Sequence, residues 1–476
     1  MLGANEHFER KRNAADASEM HSNNAIGMNR KYKIVLSGGG TGGHIYPAVA
    51  TAEALKKILG ENVELLFVGA EGKMEMEKIP ALGYRVVGLP VAGLQRRLTL
   101  SNLALPFKVL RSMRLARRTL REFGADMAIG FGGYASAPLL KAAQKMGIPT
   151  VLQEQNSFAG VTNKLLAKGA RKICVAYEGM ERFFPAEKII YTGNPLRGSF
   201  GGEVNRSEAP AHFGLSGEKP VVLIVGGSLG SRTMNEMMKA NLDRIVREGK
   251  VEIIWQNGKY YDKEMAEFCK DRDMTGVWRG AFIDRMDYAY EAATVVVSRS
   301  GACSVSELCL VGKPTLFIPS PNVAEDHQTH NAMALVRKGA AEIVRDAEAV
   351  ERAFEVVEDM VSDTERLARL SANIRLLATP DSAERVAKIA LEELKIQNSK
   401  LISIRLRVRF AEGFLCQPSE QVRSLPSVNE ELEMRRVVQK APARRSRQDA
   451  TSLRLRYMRQ VQGLRSAKKA EFTMGK

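Results

Sequence analysis

Long apolar runs are missing from this chain. None approaches the roughly 18 residues that cross a bilayer, and the first 30 residues are polar where a secretory leader would carry an apolar core. A membrane-spanning or exported protein is therefore not expected, and a cytoplasmic one is. Cysteine is sparse: the five residues at 174, 269, 303, 309 and 416 form no C-x-x-C pair, which argues against a disulfide framework or zinc ribbon and for buried, reduced thiols. Aromatics make up only 6% of the chain, and no aromatic platforms interleave with basic residues as single-strand nucleic-acid binders require. Acidic balance is lacking too, with a net charge of +17, but residues 396–476 carry 18 Lys/Arg against 7 Asp/Glu. Most of the excess belongs to a tail.

What the chain does contain is a globular composition, 45% hydrophobic and 26% charged over 476 residues, enough for two domains with extensions. Short β-branched runs alternate with longer helical stretches from residue 32 to about 395. "YKIVL", "VELLFVG", "MAIGFGG", "PTVLQEQ", "KICVAY" and "KIIYTGNP" come first; "PVVLIVGG", "VEIIWQNG", "ATVVVSRSG" and "PTLFIPSP" repeat the habit. Strands that are apolar throughout must be buried on both faces, and parallel neighbours need helical crossovers, so the class is α/β. The pattern restarts at "PVVLIVGGSLGSRTMNEM", which predicts two Rossmann-like halves, 29–197 and 198–395, joined near "TGNPLRGSFGGEVNRSEAP". A polar extension, 1–28, precedes them and a basic one, 396–476, follows. Met28 directly precedes the first strand and is expected to be the natural start.

The chemistry is expected in four glycine-rich or small-residue loops that follow strands: "GGGTGGH", "GFGGYASAP", "GGSLGS" and "SRSGACSVSE". In open parallel sheets such loops stand at the carboxyl edge, where ligands bind. Gly38, Gly40 and Gly43 spell a dinucleotide fingerprint. That fingerprint also asks for an acidic residue closing the next strand, and "VELLFVGAEG" ends in Val68, Gly69 and Ala70, with Glu71 late. A diphosphate ligand of another kind fits the loop equally. In the second half Glu307 lies one to two turns into a helix opening near Gly301, where a carboxylate can accept from a ribose diol while the first N–H groups meet a diphosphate; it can equally be an ordinary helix charge. Asp326, His327 and His330 lack a third strong partner for a metal, so "DHQTHNA" is assigned to sugar hydroxyls and no metal site is predicted.

Taken in order, "GGTGGHIYPA", "GFGGYASAP", "QEQNSFAGVTNK", "TGNPLR", "GGSLGS", "SRSGACSVSE" and "DHQTHNA" resemble the MurG family of bacterial peptidoglycan glycosyltransferases over roughly residues 31–395. The resemblance implies a GT-B architecture, two Rossmann-like domains with parallel sheets facing across a cleft. It also implies inverting transfer of N-acetylglucosamine from UDP-N-acetylglucosamine to lipid I, a polyprenyl-diphosphate-linked muramyl pentapeptide, to give lipid II. By motif, Glu307 would bind the uridine ribose, and Ser228 the donor diphosphate. Arg197 and the backbone of Ile283 would lie on the nucleotide side, Ala302, Cys303 and Ser304 would line the diphosphate and sugar, and Gln328 and Asn331 would read sugar hydroxyls. Thr41, Gly42, Gly43 and His44 would face the acceptor, joined by Tyr134, Glu154 and Asn156.

One position departs from the family pattern: where "HEQN" is frequent, this chain has "QEQN", and Gln153 cannot titrate. His44 is then the first candidate for the base that deprotonates the acceptor's C4 hydroxyl, with Glu154 or Asn156 orienting it; a structural or diphosphate-binding role is the alternative. Helix N-termini and Arg197 can stabilise departing UDP without a metal. No cofactor is implied, and a divalent-cation requirement is left open. Residues 94–123 mix Leu, Phe and Met with Arg96, Arg97, Lys108, Arg111, Arg114, Arg117, Arg118 and Arg121. They suit either a helix packed on the sheet or, as the resemblance favours, peripheral contact with anionic lipid on the cytoplasmic side of the inner membrane. Cell-wall synthesis proteins are further partners the resemblance admits. The competing readings are a related transferase with another acceptor and, from the basic tail, a nucleic-acid binder, for which nothing in the folded region speaks.

Overall fold

The computed structural model describes residues 31–91, 105–196, 208–227 and 229–411. The extension 1–28 with the expected start at Met28, residues 412–476 of the basic extension, residues 94–104 of the basic segment, Arg197 and Ser228 lie outside the described residues.

The first half is a seven-stranded parallel sheet in the order β3-β2-β1-β4-β5-β6-β7. Its strands are β1 (Tyr32–Ser37), β2 (Val63–Ala70), β3 (Val86–Leu89), β4 (Met127–Gly130), β5 (Thr150–Glu154), β6 (Lys172–Val175) and β7 (Ile189–Tyr191). The second half repeats the plan with six: β8 (Val221–Val225), β9 (Glu252–Gln256), β10 (Val277–Gly280), β11 (Val295–Ser298), β12 (Thr315–Phe317) and β13 (Glu342–Ile343), in the order β10-β9-β8-β11-β12-β13. Helices cover both faces, so the central strands are buried outright; Val222, Leu223, Ile224, Val295, Val296 and Val297 are inaccessible. That is why they are β-branched without alternation. The whole is the GT-B arrangement.

Topology explains where the four loops fall. In each sheet the order reverses beside the strand that opens the half: β1 has β2 on one side and β4 on the other, and β8 has β9 and β11. The loops after β1, β4, β8 and β11 therefore flank the two switch points, where crossovers diverge and leave a crevice at the carboxyl edge. They are the four glycine-rich loops.

The last helix departs from the expected division at 198–395. Ser382–Ala411 buries Val386, Ala387, Ala390, Leu391 and Leu394 in one cluster with Ile34, Leu36, Val49, Met127 and Ile129 of the first half. The 386/390/394 spacing forms an apolar stripe, and the face it covers belongs to the first sheet. The chain thus crosses back, and Arg385 ties the crossing to the Tyr191 carbonyl at 2.6 Å.

Candidate active site

The first glycine loop is held from beneath by a carboxylate. Glu75, buried, accepts from Gly40 N at 3.0 Å through Oε2 and from Ala70 N at 2.9 Å through Oε1. This leaves the start of the Gly42–Leu59 helix open: Thr41 stands at the cap position without capping it. His44 sits in that first turn. Its Nδ1 lies 3.0 Å from the Gly39 carbonyl and 3.2 Å from Thr41 Oγ1. A carbonyl only accepts, so Nδ1 carries the proton and neutral His44 keeps its lone pair on Nε2. Burial pulls the His44 pKa below the ordinary histidine value; the Gly39 bond opposes this, His327 adds to it and Glu75 opposes it. An imidazole so placed is neutral at neutral pH, with its Nε2 lone pair able to accept a proton. Gly132, with φ of +88°, closes over Nε2: a Cβ there would lie 3.2 Å from it.

Glu154 and Asn156 do not orient His44. Glu154 Oε1 accepts from Asn156 N at 3.1 Å and Asn156 Nδ2 at 3.3 Å, and Oε2 from Gly160 N at 3.1 Å and Asn163 Nδ2 at 2.9 Å. The carboxylate is a staple for its own loop, because a buried charge must collect donors and the nearest are backbone and amide N–H groups. Burial raises its pKa, and the bonds from Asn163, Asn156 and Gly160 oppose the rise. The groups that orient His44 are Gly39 and Thr41. Gln153 is likewise enclosed: Nε2 donates to Asn194 Oδ1 at 3.1 Å, while Asn194 Nδ2 reaches Gln155 O, Ala302 O and Ser306 Oγ. The titratable residue the family often has here is replaced by one member of a buried amide hub between the halves.

In the second half the helix after "GGSLGS", Arg232–Glu248, is capped, Ser231 Oγ accepting from Met234 N at 3.3 Å and from Arg299 Nη2 at 2.6 Å. Arg299 also pairs with Asp346 and the Ile318 carbonyl. By contrast the Ala302–Val311 helix begins at Gly301 with no side-chain cap. Its second residue, Cys303, places Sγ 3.9 Å from the Gly43 carbonyl, so two uncapped helix starts, one from each half, meet at this point. Burial pushes the Cys303 thiol up to about 12, with Glu307 adding; it remains a thiol. One turn on, burial lifts Glu307 to about 7, opposed by the Tyr290 hydroxyl, which donates to Oε2 at 3.3 Å.

The remaining predicted residues fall around these helix starts. Thr41 is exposed, Gly42, Gly43 and Ser304 are half-buried, Ala302 is buried, and Tyr134 stands out at the rim. Ile283 is buried in the second core. Gln328 Oε1 accepts from Ser320 N at 2.8 Å. Asn331 differs from expectation: wholly buried, it accepts from Ser157 N at 2.9 Å and Oγ at 3.1 Å and donates to Asn156 Oδ1 at 3.1 Å and Ser300 O at 3.2 Å. Its amide clasps the two halves, with both lone-pair and donor sides engaged by protein. Among the described residues no group of three or more His, Cys, Asp or Glu could hold a metal. Sequence reasoning passed over Glu75, Gln155, Asn163, Asn194 and Arg299, although all but Glu75 lie inside quoted motifs.

The described part of the basic segment is a helix, Leu105–Phe123, with one face packed on the first half. Ser112, Ala116, Thr119, Leu120 and Phe123 turn inward, while Arg111, Arg114, Arg117, Arg118 and Arg121 are exposed. Val109 and Leu110 are also exposed, by 51% and 47%, which puts apolar surface beside the basic face. No described helix is long and apolar enough to cross a membrane.

Residues 34–175 match the glycosyltransferase family 28 N-terminal domain and residues 221–386 its C-terminal domain. A UDP-N-acetylglucosamine–N-acetylmuramyl-(pentapeptide) pyrophosphoryl-undecaprenol N-acetylglucosamine transferase of Parabacteroides distasonis is 53% identical over 358 residues, 75% of this chain and 97% of the relative. Its counterpart from Cytophaga hutchinsonii is 48% identical over 76% of this chain and 97% of its own length. The crystal structure of Acinetobacter baumannii MurG superposes with a TM-score of 0.60 at 26% identity, covering 76% of this chain and 99% of that one. CalG4, the calicheamicin glycosyltransferase, at 16% identity and a TM-score of 0.57 over 77% of this chain and 99% of its own, shares the fold. With both domains present in order and such relatives along its described length, the chain belongs to glycosyltransferase family 28, in the family of these N-acetylglucosamine transferases.

Proposed function

We propose that the chain transfers N-acetylglucosamine from UDP-N-acetylglucosamine to the C4 hydroxyl of the muramyl sugar of a polyprenyl-diphosphate-linked pentapeptide, with inversion. The observation that carries this reading is the meeting of two uncapped helix starts, one at each switch point, with a neutral histidine in the first turn of one of them. Two diphosphates need two such helix starts, and a hydroxyl nucleophile needs one base.

In this reading His44 Nε2 takes the C4 hydroxyl proton as the oxygen attacks the anomeric carbon. The bond from that carbon to the UDP oxygen breaks, and the electron pair leaves with UDP. The N-terminus of the Ala302–Val311 helix faces the developing negative charge, where fixed N–H dipoles need no reorganisation, and Arg197 adds to it. No metal enters this scheme. Glu307 accepts from the ribose diol. The acceptor's diphosphate lies against Gly42 and Gly43. The exposed arginines and apolar residues of the Leu105–Phe123 helix hold the first half against anionic lipid on the cytoplasmic face of the membrane, within reach of a polyprenyl acceptor.

The test is UDP release from UDP-N-acetylglucosamine with a lipid I analogue present or absent, for wild type and Glu307→Ala. Acceptor-dependent release that the substitution severely reduces supports the reading. Release by the wild type that ignores the acceptor, or that occurs only with other acceptors, overturns it.

A further inference from the structure

Gln256 closes β9, and the register sets it beside Val225 at the end of β8 and Gly280 at the end of β10. Those strand ends open the "GGSLGS" loop on one side and the loop that contains Ile283 on the other. The buried Gln256 side chain reaches both: Nε2 donates to the Gly227 carbonyl at 2.8 Å and to the Ala281 carbonyl at 3.1 Å. Oε1 is buried with no hydrogen-bond partner among the described residues. Reversing the amide would set that oxygen against two carbonyl oxygens, so the orientation follows from the contacts. The amide leaves one buried acceptor unpaired while bridging two loops, an arrangement seldom kept without a reason.

The surroundings reinforce the bridge. Gly227, at φ +87°, adopts a backbone that side chains resist, and its carbonyl is turned to Gln256. Asn257 N donates to Gly280 O at 3.0 Å. Gly230 and Gly258 meet backbone to backbone, so closely that a Cβ on either would collide with the other loop. The loop after β9 is thus a floor under the loop after β8.

We propose that Gln256 is a positioning residue that fixes the spacing between the diphosphate loop and the nucleobase loop, and thereby the grip on a whole nucleoside diphosphate. It acts through the Gly227 and Ala281 carbonyls. The inference deepens the donor-side reading above and rests on it.

Gln256→Met keeps the stem and removes both donors. Calorimetric titration with UDP should show Kd weakened about tenfold or more, and kinetics a matching rise in donor KM, with kcat within about threefold and acceptor KM unchanged. Gln256→Glu gives a readout that a merely structural role would not move. At pH 8 its carboxylate faces two carbonyls and binds UDP-N-acetylglucosamine worse than the Met variant; toward pH 6 a buried carboxyl takes up its proton and donates one bond, so the ratio of its Kd to that of the wild type at the same pH shrinks. A folded Met variant with Kd within about threefold of wild type, a loss confined to kcat, or a Glu variant whose pH profile parallels the wild type overturns the bridge. A wild type that binds no UDP overturns the donor-side reading itself, and the bridge with it.

Discussion

The two halves share a strand, glycine loop and helix plan, yet their opening loops are braced by opposite chemistry. After β1 a carboxylate, Glu75, collects two backbone N–H groups from below and the helix start stays uncapped. After β8 an amide, Gln256, donates to a backbone carbonyl and Ser231 caps the helix. A brace that draws N–H groups inward fixes the loop while leaving the next turn, with His44, uncapped. A brace that draws a carbonyl inward fixes the loop from its acceptor side instead. Under the proposed function the halves are one architecture adapted to two tasks: proton removal in the first, and holding and releasing a nucleotide in the second.

The largest expected effect tests the first task. His44→Ala should lower kcat about 10²–10⁴-fold, the usual worth of a positioned base, while UDP affinity by calorimetry stays within a few-fold. Because the His44 pKa is held below 6.5, the acid limb of the wild-type kcat profile at saturating donor should lie below pH 6.5 and vanish in the variant. An unchanged turnover would remove His44 from the mechanism and leave the first loop as a binding element alone.

Glu75→Ala asks whether the brace belongs to the first half only. The buried Ala70 N–H would lose its acceptor and the exposed Gly40 N–H its anchor, at about 1–3 kcal/mol by the usual cost of one buried unpaired donor. Thermal unfolding should fall accordingly and acceptor KM should rise, with UDP affinity unchanged in protein that remains folded. Equal damage to acceptor and donor binding would mean that the loops act as one unit.

The donor side should respond to pH in its own range. Glu307, lifted to about 7 by burial, must be ionised to accept from a ribose diol. Protonation therefore competes with binding, and affinity should rise with pH. Between pH 6 and pH 8 the ionised fraction of a group near pKa 7 grows about tenfold, and the Kd for UDP-N-acetylglucosamine, whose diphosphate does not titrate there, should tighten correspondingly. Glu307→Gln should flatten that dependence. A wild-type profile that is flat, or that runs the other way, would separate Glu307 from the ribose.

Much of this was legible in the sequence, for reasons the structure makes plain. Central strands such as "VVLIV" announce themselves because both faces are buried. The strands that escaped notice, β3, β10 and β13, lie at sheet edges, where half-exposed positions dilute the apolar signal. The four loops were readable because a switch point demands glycine and small residues at the strand end. Less legible were the partners. Glu75 lies 35 residues from the Gly40 it braces and Asn331 is 175 from Asn156, and no local pattern encodes such separations. Glu154 and Asn156 were expected to orient His44, but the need of a buried carboxylate for donors makes Glu154 a loop staple instead.

The smallest effect concerns a side chain that one half lends to the other. Tyr177 follows β6 in the first half, and its ring packs against the second half's cluster with Ala340, Ile374 and Cys309. Its hydroxyl is buried with no hydrogen-bond partner among the described residues, and burial pushes its pKa well above the ordinary tyrosine value. The ring's contacts would survive in phenylalanine, while the hydroxyl brings only a desolvation cost. Tyr177→Phe should therefore be neutral or stabilising by up to about 1 kcal/mol, visible as a rise of about 1–2 °C in Tm, with UDP affinity and turnover unchanged. Should Tm fall, or turnover change without it, the hydroxyl must find a partner in the working enzyme. The contact between the halves would then have two arrangements, and the division of labour between them would depend on movement as well as on chemistry.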